Sequence, residues 1–130
     1  MEEKKKEFNE LEGFIKHNNI KITNVDNNVC EGTVLLEEKL YNPYGIAHGG
    51  LIFGFADTLM GLLAGLRTGK ALTINSNINY LKPCGGNKIT GKAKVIKEGK
   101  NIGYYEAEIY NELGELAATA TTTYMFFKWT

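Results

Sequence analysis

Only two cysteines occur in the chain, Cys30 and Cys84, far apart and in no metal-ligand spacing. They exclude a disulfide scaffold. A single bridge between them stays open, but read as free thiols they imply a reducing compartment and a cytoplasmic protein. Net charge is also missing, because 15 Lys and Arg balance 15 Asp and Glu. A neutral chain has no long-range attraction for nucleic acid or for an anionic membrane, so neither is expected as a partner. An anionic ligand must be held by a local site. The run Lys4-Lys5-Lys6 is ringed by Glu2, Glu3 and Glu7, which reads as a solvated helix start. The N-terminus has no apolar core, so no secretory signal is expected. Internal repeats, low-complexity stretches and linkers are absent, and residues 1–130 read as one domain.

What is present is a core: 43% of residues are apolar. Phe8, Leu11, Phe14 and Ile15 fall at helical spacing and predict a short amphipathic helix over 2–17. Strands are expected at 20–24 and 28–37, on either side of the Asp26-Asn27-Asn28 turn. A loop, 40–48, then leads into the apolar segment 49–66. Beyond it the period changes to two. Leu72, Ile74, Ser76, Ile78 and Tyr80 alternate with Thr73, Asn75, Asn77 and Asn79, and Pro83 with Gly85-Gly86 closes that strand. Strands centred on 89–95 and 105–109 and a long one at 115–127 follow. The turns between them are short, so neighbours should pair antiparallel. The segment 49–66 is apolar nearly all round and must be buried or lie in a membrane. Asp57 in its middle argues against a membrane. A long sheet curled round the helix solves the burial.

Projected at 100° per residue, Gly50, Gly54, Asp57, Gly61 and Ala64 share one stripe of this helix. Each interior glycine costs ~1 kcal/mol relative to alanine, so something must offset it. Either the backbone packs closely against another element, or the stripe lines a groove where a ligand lies beside Asp57. A carboxylate in an apolar helix is costly unless paired or working, so Asp57 is either a structural group or a general base or nucleophile. His48-Gly49-Gly50 begins the helix, where first-turn amides point outward at the positive end of the dipole. Glycine lets a substrate oxygen approach them, which makes a candidate oxyanion site; His48 also suits a helix cap. Asn42 in the loop starts a turn or holds a water or a carbonyl. Gly49 and Asp57 lie eight residues apart, ~12 Å along a helix. If both act on one carbonyl they come from different subunits, and two antiparallel helices packed along the stripe would give a two-fold dimer with two equal sites.

Asn42-Pro43-Tyr44-Gly45-Ile46-Ala47-His48-Gly49-Gly50 followed by Ala56-Asp57-Thr58, with Asn77-Ile78-Asn79-Tyr80-Leu81-Lys82-Pro83 after it, resembles the hotdog-fold thioesterases. The nearest pattern is the phenylacetic-acid-degradation PaaI-like group of the 4-hydroxybenzoyl-CoA thioesterase superfamily, over residues 28–127. The resemblance implies an α+β hotdog fold, a long antiparallel sheet round the central helix at about 49–66 with an N-terminal helix. It implies dimers joined through edge strands, with further pairing into tetramers left open, and acyl-CoA substrates; no cofactor or metal is expected. Carried over by position, Asp57 is the general base or nucleophile and Asn42 positions the water or thioester. The Gly49 amide polarises the carbonyl, His48 supports Asn42 and the thiolate side, and Thr73 orients the water. Phe53, Phe55, Met60 and Leu63 are candidates for the acyl pocket. One alternative is a non-catalytic acyl-CoA sensor on the same fold, which could dispense with Asp57. Another is a hotdog dehydratase, whose chemistry relies on a differently placed histidine, and His17 is a poor candidate for it.

Overall fold

The computed structural model describes residues 1–127. The expected N-terminal helix is two helices, α1 (Glu2–Asn9) and α2 (Phe14–His17). Gly13 breaks the run with a φ of 81°, a left-handed conformation open to glycine at little cost. The helical spacing of Phe8, Leu11, Phe14 and Ile15 hid that break. β1 (Ile20–Val25) and β2 (Val29–Leu35) form a hairpin. The Asp26 carboxylate closes its turn, accepting the N–H groups of Asn28 and Val29 at 2.7 and 3.0 Å. After a short 3-10 turn (Glu38–Leu40) and a loop come α3 (Gly49–Thr68), β3 (Ala71–Tyr80), β4 (Lys88–Glu98), β5 (Ile102–Tyr110) and β6 (Leu116–Phe126).

The six strands form one antiparallel sheet in the order β1-β2-β4-β5-β6-β3. The expectation that every strand after the helix pairs with its neighbour fails at β3 and β4. Segment 81–87 is too long for a tight turn, and its ends are tied elsewhere. The N–H groups of Leu81 and Lys82 both donate to Ala117 O, while Asn87 O accepts from Leu36 N. β3 is thereby delivered to the far edge, beside β6, and β4 inserts between β2 and β5.

The sheet curls round α3. Gly32 of β2 and Gly91 of β4 sit directly opposite each other in the ladder. A Cβ on Gly91 would stand 2.7 Å from Leu59 Cδ1 and 2.9 Å from Phe55 Cε2, and one on Gly32 3.0 Å from Leu59 Cδ2. The paired glycines are the bare seat on which the helix rests. Phe55, Leu59, Met60, Leu63 and Ala64 are fully buried there with Val34, Ile89, Tyr105 and Ile109. Ala64 therefore turns into the core rather than lying on the open stripe, where Gly65 stands instead with free space before it. By length and composition alone α3 could cross a membrane; here its apolar face is covered by the sheet.

The two sheet edges differ. On β1 the Asn9 side chain binds both backbone groups of Ile22, donating to its O at 2.9 Å and accepting from its N at 2.8 Å. The outer edge of β1 is thus blunted at the point where its register slips. β3 has no strand on its outer side, and Leu72 and Ile74 are half exposed on it.

Candidate active site

Asp57 lies half-buried on the face of α3 that the sheet leaves open. Two side chains hold it. Thr73 Oγ1 donates to Asp57 Oδ1 at 3.0 Å, and the Tyr124 hydroxyl stands 2.9 Å from the same Oδ1. Thr73 reaches Asp57 because the pairing of β3 with β6 slips between Thr73 and Asn75. That bulge leaves Ile74 unpaired and puts Thr73 on the same side as Ser76 and Tyr80, which reach Thr122 and Gly49 respectively. The uninterrupted alternation expected from the sequence grouped Thr73 with Asn75, Asn77 and Asn79. One extra residue reverses its face.

Tyr124 is the participant that the sequence reading missed. It is buried on β6, its ring edge-on to Tyr105 with centroids 5.5 Å apart. Burial, and then the negative charge of Asp57, push its hydroxyl pKa well above the ordinary value, so it remains a donor. A usable signal was present: the inward residues of β6 run Ala118, Ala120, Thr122, Tyr124, apolar until the strand passes Asp57 and hydroxyl-bearing from there.

The second group is the loop before α3. Asn42 Oδ1 accepts the N–H groups of Tyr44 and Ile46 at 2.9 and 3.3 Å, so the carboxamide folds the loop back on itself and its Nδ2 is what remains for a ligand. His48 caps α3: Nδ1 accepts the Gly50 N–H at 2.8 Å, which puts the ring proton on Nε2. Among the described residues His48 is seen as the helix cap through Nδ1, which leaves Nε2–H for the support of Asn42 that the resemblance implies. His48 N donates to Leu40 O at 2.9 Å and Ile52 N to His48 O at 3.1 Å. Of the first-turn amides, those of Gly49 and Leu51 are left for an outside acceptor. Gly49 is the accessible one, since Leu51 is buried. Tyr80 stands over it, its hydroxyl donating to Gly49 O at 2.7 Å.

A cavity of about 320 Å³ joins Asn42, Gly49, Ile52, Tyr80 and Cys84. Asp57 and Thr73 are not part of it. Eight residues separate Gly49 from Asp57 on one unbroken helix, ~12 Å along its axis. The structure thus brings Asn42 together with Gly49, and Asp57 together with Thr73, but not the first pair with the second in one chain. A larger cavity, about 820 Å³, lies between α1–α2 and β1–β2 and takes in none of these residues. Of the acyl-pocket candidates, Phe55, Met60 and Leu63 are core residues with no exposure; only Phe53 stays half-buried on the helix surface. His17 is exposed at the end of α2, and no hydrogen bond ties it to Asp57 among the described residues. Among the described residues no group of three or more His, Cys, Asp or Glu gathers as a metal site.

The family model of the thioesterase superfamily matches residues 44–118, which take in most of the loop, all of α3, β3, β4 and β5, and the start of β6. The chain belongs to the thioesterase superfamily. A Haemophilus influenzae protein named "Putative esterase" is 30% identical over 113 residues, 84% of this chain and 81% of that one. Escherichia coli acyl-coenzyme A thioesterase PaaI is 29% identical over 72% of this chain and 67% of its own length. The PaaI structure superposes with a TM-score of 0.90 over 98% of this chain and 94% of PaaI, at 23% identity. A Streptococcus mutans protein crystallised with acetyl CoA superposes at 0.83 with 27% identity, over 91% and 94% of the two chains. The sheet curled round α3 is the hotdog architecture these thioesterases share, and the chain is a thioester hydrolase of that family.

Proposed function

We propose that this thioesterase hydrolyses acyl-CoA to free acid and CoA in the cytoplasm, at two equal sites of a homodimer. Each site would combine Asn42 and Gly49 of one subunit with Asp57 and Thr73 of the other. The observation that carries this reading is the separation on α3. The one accessible amide at the helix start and the one carboxylate on its open face are ~12 Å apart in a single chain, too far for one carbonyl. Pairing of two β3 edges supports it. That edge is long and uncovered, with Leu72 and Ile74 exposed on it, while β1 is blunted by Asn9. Edge-to-edge pairing would set two α3 helices side by side and antiparallel, with Asp57 of each toward Gly49 of the other. The acyl-CoA thioesterase named among the relatives and the acetyl-CoA-bound neighbour support the substrate class. The buried free thiols Cys30 and Cys84 suit a reducing compartment.

The chemistry follows from the groups. The Gly49 N–H at the positive end of α3 holds the carbonyl oxygen as it gains charge. Asp57 takes a proton from water, and the water oxygen bonds to the carbonyl carbon. Collapse of that intermediate breaks the C–S bond, and the thiolate leaves as CoA with the proton returned by Asp57. The same carboxylate could instead attack the carbon itself, forming an anhydride that water then opens. The Asn42 Nδ2 positions the water or the thioester, and His48 fixes the helix start that presents the Gly49 amide. Asp57→Asn keeps the shape and removes the base. Thiol release from a panel of acyl-CoAs should fall by a factor of ~10²–10⁴ while binding persists. Turnover near the wild-type rate in that variant, or no hydrolysis of any acyl-CoA by the unaltered protein, would contradict the reading.

A further inference from the structure

Asp57 is held asymmetrically. Its two side-chain donors among the described residues, Thr73 at 3.0 Å and Tyr124 at 2.9 Å, meet Oδ1, and neither meets Oδ2. We infer that Tyr124 is a positioning residue of this thioesterase, which with Thr73 anchors Oδ1 so that Oδ2 is the oxygen that reacts. The inference rests on the reading of Asp57 as base or nucleophile.

Two observations support the anchor. First, Tyr124 is rigid. It is 2% exposed, its ring packs edge-on against Tyr105, and Tyr105 is itself tied to Glu98, which pairs with Arg67. Second, the hydroxyl also lies 3.0 Å from the backbone O of Asp57. A single proton is shared between a helix carbonyl and a carboxylate, and the charged acceptor makes the stronger bond. Two donors on Oδ1 draw electron density to that oxygen and fix the plane of the carboxylate. Among the described residues Oδ2 has no partner, and it is the atom left to meet the water or the thioester carbon. Without the anchor the carboxylate can rotate, and the productive orientation becomes one of several. Tyr124 touches no substrate in this scheme and acts through Asp57 alone.

Tyr124→Phe keeps the ring and removes the donor. The expected result is a fall in kcat on the order of 10- to 100-fold, the worth of one hydrogen bond to a charged group, with KM unchanged. The same change placed on Asp57→Asn should cost nothing further, because the residue acts through the carboxylate. Thr73 gives a second variant on an exposed strand: Thr73→Ala should lower kcat at constant KM, and Thr73→Ser should restore it. A Tyr124→Phe variant with wild-type kcat, or one whose loss is equal in the presence and absence of Asp57, overturns the anchor. Asp57→Asn remaining inactive in the same assay leaves the catalytic reading of Asp57 standing. Should Tyr124→Phe fail to fold, Thr73→Ala with wild-type kcat overturns the anchor in its place. Full activity of Asp57→Asn overturns both readings together.

Discussion

The Gly49 amide is tested by crowding it, and the structure says how much crowding each side chain brings. A methyl group at Gly49 would stand 3.3 Å from the Tyr80 hydroxyl and 3.4 Å from the ring carbon that bears it. Those are tight contacts, but Tyr80 is half exposed on the edge strand and can give by a few tenths of an ångström. What suffers is its 2.7 Å bond to Gly49 O. A neutral hydrogen bond is worth about 0.5–1.5 kcal/mol, so Gly49→Ala should cost at most roughly tenfold in turnover. Valine adds two branches where an incoming carbonyl must meet the N–H. Gly49→Val should lower kcat by ~10²–10³, the worth of one oxyanion donor. Tyr80→Phe is the control: it removes the bond to Gly49 O without crowding the amide, and its loss should match alanine rather than valine. Release of thiol from acyl-CoA, with thermal melting to confirm folding, measures all three. A folded Gly49→Val protein with near wild-type turnover would refute the reasoning and move the oxyanion donor elsewhere.

Phe55→Ala should destabilise the protein by about 3–5 kcal/mol, because the ring is fully buried on the Gly32–Gly91 seat; urea unfolding measures it, and a loss below about 1 kcal/mol would show that α3 does not rest there. Burial pushes the Cys30 thiol up to about 12, so at pH 8 it stays protonated and alkylation by iodoacetamide should follow global unfolding; rapid labelling in native buffer, read by mass, would contradict that. The Arg67 guanidinium holds the Glu98 carboxyl below its usual range. A depressed carboxyl contributes stability that is present at neutral pH and lost as pH falls through its folded value. Glu98→Gln should therefore lower Tm at pH 7, with the gap to wild type narrowing in acid; a gap that does not change with pH would sink the assignment.

Much of the frame was legible in the sequence because it depends on local patterns. An all-round apolar segment with Asp57 at its centre reads as a wrapped helix, and the Asp26 turn marked the first hairpin. What escaped depended on contacts between distant residues or on single-residue slips. Tyr124 lies 67 residues from Asp57, and only the insertion of β4 between β2 and β5 brings β6 and β3 together beside the helix. The bulge at Ile74 is invisible to alternation, because the residue types keep alternating while the pairing slips. Gly13 sits within a helical pattern and reads as a mild penalty until its positive φ ends the helix. At the site, Asp57, Asn42 and Gly49 stood out because each is chemically out of place in its segment. The pairing of His48 with Asn42 came from the resemblance, whereas its role as helix cap follows from its place one residue before Gly49.

The central claim is that Asp57 and Gly49 meet across two subunits, and mixing two inactive variants tests it most directly. Asn42→Ala and Asp57→Asn are each prepared alone, then mixed and allowed to exchange subunits, with exchange confirmed by mass. Random pairing makes about half of the dimers mixed, by the two-fold symmetry of the interface. Each mixed dimer then carries one site with both defects and one with neither. The mixture should regain roughly a quarter of wild-type thioesterase activity, the product of those two halves. Complete exchange with no recovery would place every reacting group in one chain and contradict the shared site.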